Sequence, residues 1–232
     1  MPIQHLYTKA NQKLADLNAL PLKSLADGME AFQYQSPIDF GEVESIISEP
    51  EMDLKLHYQE EEYQQKVFGG SYHLVPNEGK SWLTFEGQRF NLDDIHVHFP
   101  SEHTLNNQAS KFEFHLVHSG PEGENLVIAV MYEGDSDDYI EENPKRRKMM
   151  EEIFYEGTNM IFNPADYLSR PLKYYHFVGS LTTPPYSGPV LWFVIDEMQY
   201  ANLEVVRRVK KFVPTNNNRV VFPVRDRLVY HN

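Results

Sequence analysis

The sequence predicts a single mostly-β domain of the α+β kind, and three observations carry that prediction. Short runs alternate apolar and polar residues with a period of two, the signature of a strand with one face in a core. Turn residues punctuate those runs every few positions, as in Pro76-Asn77-Glu78-Gly79 and at Gly87. Two further runs, Leu126 to Tyr132 and Val190 to Ile195, are almost wholly apolar, as strands covered on both faces would be.

The elements follow in order. Leu14, Leu17, Leu20, Leu22 and Leu25 recur at near-helical spacing, broken by Pro21, so residues 1–32 are expected to form a short helical arm. Residues 33–232 form the main domain. Its strands are expected at Asp53–Tyr58, Ser71–Val75, Ser81–Phe85, Gln88–Leu92, Asp94–Phe99 and Lys111–His118, besides the two apolar runs. Helices are expected over 138–155 and 202–212, the second ended by Pro214. No internal repeat or low-complexity linker divides the domain.

Composition excludes several classes of function. Of 232 residues, 41% are hydrophobic and 24% charged, which supports a large core. The net charge of −13 argues against nucleic acid as a partner, since phosphate binding needs clustered Lys and Arg. The one basic run, Lys145-Arg146-Arg147-Lys148, is flanked by Glu141, Glu142, Glu151 and Glu152, and is expected to be a solvated helix face. No stretch reaches the roughly 18 to 20 apolar residues of a membrane span, so no membrane partner is expected. There is no cysteine, so the protein needs no disulfide and tolerates a reducing compartment. No basic and apolar leader opens the chain, and the cytoplasm is the expected location. A homodimer is compatible with the sequence, but no pattern in it sets the oligomeric state.

Chemistry concentrates in three of the ten histidines. His96 and His98 lie in Asp94-Ile95-His96-Val97-His98, where residues two apart on a strand share a face. Both imidazoles then project to one side while Ile95 and Val97 enter the core. An HxH pair alone is a weak sign of metal binding. If the strand carrying His115 lies beside this one, a face of three nitrogens results. Three protein ligands with one open position is the arrangement of a catalytic zinc site, whereas a structural site takes four. A set of three histidines also suits cobalt or iron.

Neighbouring motifs sharpen the reading. Ser101-Glu102-His103 follows the HxH strand, Glu113-Phe114-His115-Leu116-Val117-His118 carries the third histidine, and Gly179-Ser180-Leu181-Thr182-Thr183-Pro184-Pro185 lies further on. Gln35-Ser36-Pro37-Ile38-Asp39, Trp192 and Asn218-Arg219 complete the set. In this order and spacing, from about residue 33 to 229, the chain resembles the α-carbonic anhydrase family.

The resemblance implies a fold built on a large, mainly antiparallel, twisted central sheet. It implies a Zn2+ cofactor held by His96, His98 and His115, and reversible hydration of carbon dioxide to bicarbonate by a zinc-bound hydroxide. Thr182 falls on the family's gatekeeper threonine and Glu102 on the carboxylate that receives its hydroxyl. An ionised carboxylate only accepts hydrogen bonds, so Glu102 would leave Thr182 able only to accept from the nucleophile. The apolar substrate pocket falls on Val117, Val127, Leu181 and Trp192, with Thr183 beside them. Around the ligands, Glu113 falls on the partner of His115, with His103 nearby, and Asp94 replaces the glutamine usual behind the first ligand. A carboxylate there would push charge onto the metal and raise the pKa of its bound water. The family's histidine proton shuttle is replaced by Ser71, with His73 two residues on as a substitute. The implied enzyme is therefore slowed at proton transfer, and the alternative is a catalytically weak binding module of the same fold.

Overall fold

The computed structural model describes residues 33–43, 46–48, 52–155, 157–168, 170–213 and 216–232. The expected helical arm at residues 1–32 lies outside the described residues. Two helices are described, α1 (Pro144–Glu152) and α2 (Leu203–Phe212). The strands of the first half are β1 (Ile46–Ser48), β2 (Leu54–His57), β3 (Glu61–Phe68), β4 (Ser71–Pro76), β5 (Trp82–Phe85), β6 (Gln88–His98), β7 (Thr104–Leu105), β8 (Gln108–Ala109) and β9 (Phe112–Ser119). Those of the second half are β10 (Asn125–Gly134), β11 (Asn159–Phe162), β12 (Tyr174–Gly179), β13 (Val190–Ile195), β14 (Gln199–Ala201) and β15 (Val229–His231).

All but β7 and β8 join one sheet, with the central order β1-β15-β12-β13-β10-β9-β6-β4-β3-β11. Most pairs are antiparallel, as expected. Parallel pairs join β1 to β15, β10 to β13 and β10 to β14. No helix among the described residues is long and apolar enough to cross a membrane.

The central strands of the sheet are buried on both faces, and their alternation sorts two cores. From β10, Leu126, Ile128, Val130 and Tyr132 enter the larger core, while Val127, Ala129 and Met131 enter the smaller. From β13, Leu191, Phe193 and Ile195 enter the larger, and Val190, Trp192 and Val194 the smaller. This is the physical reason for the two continuous apolar runs: neither parity of the strand meets water. Helices α1 and α2 send Met149, Met150, Val205 and Val209 into the larger core. The other face is thereby left to the functional site.

Two elements and one residue differ from expectation. Gln88–Leu92 and Asp94–Phe99 are not two strands; β6 runs through both, with a bulge between Leu92 and Asp94. Helix α1 is shorter than 138–155 because Asn143 caps it and Pro144 stands in its first turn, where a missing N–H costs nothing. Within the basic run, Arg146 is buried, its Nε donating to the Asp166 carbonyl at 3.0 Å, while Lys145, Arg147 and Lys148 are exposed as expected.

Candidate metal centre

Two adjacent strands bring the three histidines together. β6 and β9 are antiparallel neighbours, with His96 directly opposite His115 and His98 opposite Glu113. One nitrogen from each of His96, His98 and His115 lies within 4.8 Å of the others. The bulge in β6 makes this possible. Before it, Phe90 and Leu92 are the buried, core-facing residues; after it, Ile95 and Val97 are. The parity shifts by one at Asp93, so Asp94, His96 and His98 turn together to the site face.

Each candidate ligand has its second nitrogen tied to a fixed acceptor. His96 Nδ1 lies 2.7 Å from Asp94 Oδ2, His98 Nδ1 lies 3.2 Å from the Asn217 carbonyl oxygen, and His115 Nε2 lies 3.0 Å from Glu113 Oε1. The free nitrogens are therefore Nε2 of His96 and His98 and Nδ1 of His115. His98 Nε2 is buried with no hydrogen-bond partner. An orphaned ring nitrogen at the meeting point of three imidazoles fits a metal ion, and the all-nitrogen set suits zinc.

Electrostatics keep the set in a ligating state. Burial pushes His98 down to about 3 and His115 down to about 4, so both are neutral at pH 7. Asp94 feels burial too, but hydrogen bonds from His73 and His96 outweigh it and hold the carboxyl at about 2. Burial likewise opposes ionisation of Glu113, yet His103 and His115 hold it well below the usual carboxylate range.

Glu113 is the hub behind the third ligand. Its Oε1 accepts from His103 Nδ1 at 2.7 Å and from His115, and its Oε2 accepts the backbone N–H groups of Glu102 at 2.8 Å and His103 at 2.9 Å. Glu102 is also buried, and burial raises its carboxyl pKa. The Arg219 N–H donates to Glu102 Oε1 at 2.9 Å. Thr182 stands close enough to favour the ionised form, although its contact falls short of a full hydrogen bond and Oε2 keeps no complete partner.

The expected pocket residues gather on the same face. Val127 pairs across the sheet with Val117 on one side and Trp192 on the other. Val117 and Leu181 pack on the smaller core that Val127 and Trp192 help form. The Trp192 ring stands edge-on to His115, 5.0 Å between centroids, and its Nε1 donates to the Ser180 carbonyl at 3.0 Å. Thr183 is exposed in the turn after Thr182 and accepts the Tyr186 N–H at 2.9 Å. Ser71 is buried and donates its hydroxyl to the Val97 carbonyl at 2.5 Å. His73 faces the site and bonds Asp94.

Two sequence motifs 144 residues apart lock onto each other. The Ser36 N–H donates to Ser180 Oγ at 3.0 Å, and the Ser180 N–H to Ser36 Oγ at 3.3 Å. A side chain at Gly179 would collide with Ser36 Oγ, so only glycine admits this approach.

Comparison with known proteins is consistent with this geometry. A model of the eukaryotic-type carbonic anhydrase family matches residues 28–232. The chain belongs to that family. Alpha carbonic anhydrase 5 of Arabidopsis thaliana is 33% identical over 192 residues, covering 79% of this chain and 69% of that protein. The carbonic anhydrase of Neisseria gonorrhoeae is 29% identical over 199 residues, covering 84% and 76%. Among solved structures, the Photobacterium profundum α-carbonic anhydrase superposes with a TM-score of 0.74 at 30% identity, covering 90% of this chain and 95% of that one. The family's reaction is the hydration of carbon dioxide.

Two contributors to the site arrive from a distant segment, and of these the sequence motifs include Arg219 but not Asn217. Asn217 supplies the acceptor for His98, 119 residues away in the chain, and its side chain also accepts the Phe99 N–H at 2.8 Å. Arg219 reaches Glu102 across 117 residues. Nothing in the spacing of either asparagine or arginine points to a histidine strand.

Proposed function

We propose that this carbonic anhydrase family member hydrates carbon dioxide with zinc held by His96, His98 and His115. The observation that carries the reading is the convergence of three imidazole nitrogens whose partner nitrogens are all fixed by acceptors. Zinc bound there supplies Lewis acidity, which in carbonic anhydrases brings the pKa of water down to about 7.

The chain's own residues do the rest. Glu102, held by the Arg219 N–H, when ionised accepts a hydrogen bond from the Thr182 hydroxyl, which in turn favours the ionised carboxylate. The Thr182 hydroxyl oxygen is then left to accept from the O–H of the attacking water and so to orient it. Val117, Val127, Leu181 and Trp192 offer carbon dioxide an apolar wall beside His115, with Thr183 at the rim. Ser71 cannot carry the released proton, because its hydroxyl is committed to Val97 and does not titrate near neutral pH. His73 is engaged with Asp94, so proton transfer to buffer is the slow step.

Stopped-flow hydration on protein of known zinc content tests this. The expected result is turnover that chelation abolishes and added imidazole accelerates. Zinc-loaded protein without turnover would favour the binding-module alternative, and buffer-independent turnover would refute the missing shuttle.

A further inference from the structure

His73 lies directly across β4 and β6 from His96, their ring centroids 5.3 Å apart. Between them stands Asp94. Its Oδ2 accepts from His96 Nδ1 at 2.7 Å, and both its oxygens lie 3.0 Å from His73 Nδ1. A carboxylate with one donor can swing about its side-chain torsions. Two converging donors define its plane.

His73 is itself clamped. The Phe68 ring stacks on it with centroids 3.7 Å apart and planes 11° from parallel. Phe68 is 51% exposed at the end of β3, next to the turn in which Gly69 and Gly70 adopt φ of 59° and 80°. A ring that far in water adds little to the core; what it covers is His73.

Of the three candidate ligands, His96 has the least packing. Its side chain is 15% exposed, against 2% for His98 and 2% for His115. The ring least restrained by neighbours depends most on the acceptor behind it.

We propose that His73 is a positioning residue for the metal centre: it holds the Asp94 carboxylate in the orientation that fixes His96, and Phe68 holds His73. This rests on the reading of His96, His98 and His115 as zinc ligands. Its consequence is slow release of zinc, since a ligand that cannot turn away cannot open the site. Outer partners of this kind are worth about 10- to 100-fold in metal affinity.

The test is the rate of zinc release from the full-length loaded protein into excess chelator. His73→Phe keeps a ring against Phe68 and removes the donor; it is expected to release zinc about tenfold faster. His73→Gln restores an N–H donor and is expected to fall nearer the wild type. In an Asp94→Ala background, His73→Phe is expected to add nothing, because its effect passes through Asp94. Wild-type release from His73→Phe, or full additivity with Asp94→Ala, overturns the proposal. Phe68→Ala alters an exposed residue and is expected to speed release severalfold. Unchanged release there overturns the clamp even if His73→Phe fails to fold. A wild-type chain that retains no zinc would instead overturn the metal reading, and this proposal with it.

Discussion

At the scale of the residue, the site is defined by who holds whom. Glu113 is fully buried and accepts four N–H donors, so it serves as a fixed anion rather than an acid. Glu102 differs: burial raises it, and only the Arg219 N–H meets one oxygen in full. That leaves its other oxygen for Thr182. Replacing Thr182 by Val keeps the shape and deletes the hydroxyl. The expected outcome is hydration slowed roughly 10- to 100-fold, or about 1.4 to 2.7 kcal/mol of barrier, with zinc content unchanged. Metal analysis beside stopped-flow rates checks it, and near-normal turnover would remove Thr182 from the orienting role. The candidate ligands His96 and His98 were legible because i, i+2 spacing places both on one face of a strand. The partners at the site divide: Asp94 and Glu113 sit two residues from the histidines they hold, within reach of strand geometry, whereas Asn217 and Arg219 come from a distant segment.

At the scale of the element, β6 carries the decisive feature. A continuous strand with one parity would put Phe90 and Leu92 on the same face as Asp94, His96 and His98, so either the core or the site would lose its residues. The bulge resolves the conflict by leaving Asp93 exposed as the extra residue. Deleting Asp93 sets the two halves of β6 against each other. The expected outcome is loss of stoichiometric zinc, loss of cooperative unfolding, or both, while Asp93→Ala retains them. Native zinc content together with a native urea midpoint in the deletion variant would refute this account. The bulge was invisible as such in the sequence, where it appeared as a break between two strands. Strand β3 is a second case, for no expected strand covers its run of Glu61, Glu62, Gln64 and Gln65. Its Glu61, Tyr63 and Gln65 are buried because that parity of the strand faces the larger core, in which Tyr63 packs.

At the scale of the whole molecule, burial couples the histidines to stability. Burial lowers His98 to about 3, His115 to about 4, His118 to about 3 and His176 to about 4, against about 6.5 in an unfolded chain. Between those values the unfolded chain binds more protons than the folded one, so stability rises with pH and is lost as pH falls. Each histidine contributes up to about 1.4 kcal/mol per pH unit in that window. Metal-free protein is therefore expected to hold a constant urea midpoint above about pH 7.5 and to lose it steeply between about 6.5 and 4. A midpoint that stays flat through that window would show that these rings are not buried neutral. The sequence by itself determined the strand-rich architecture, the two strands covered on both faces, the shared face of His96 and His98, and the family. Each of these rests on local periodicity or on short motifs whose spacing the backbone converts directly into a shared face. Only the tertiary structure decided that β6 and β9 are neighbours, that the bulge turns Asp94, His96 and His98 to one side, that Arg146 is buried, and that Asn217, Arg219, His73 and Phe68 close around the site. Those facts depend on strand pairing and side-chain packing between residues far apart in the chain, where no local pattern records which segment will arrive.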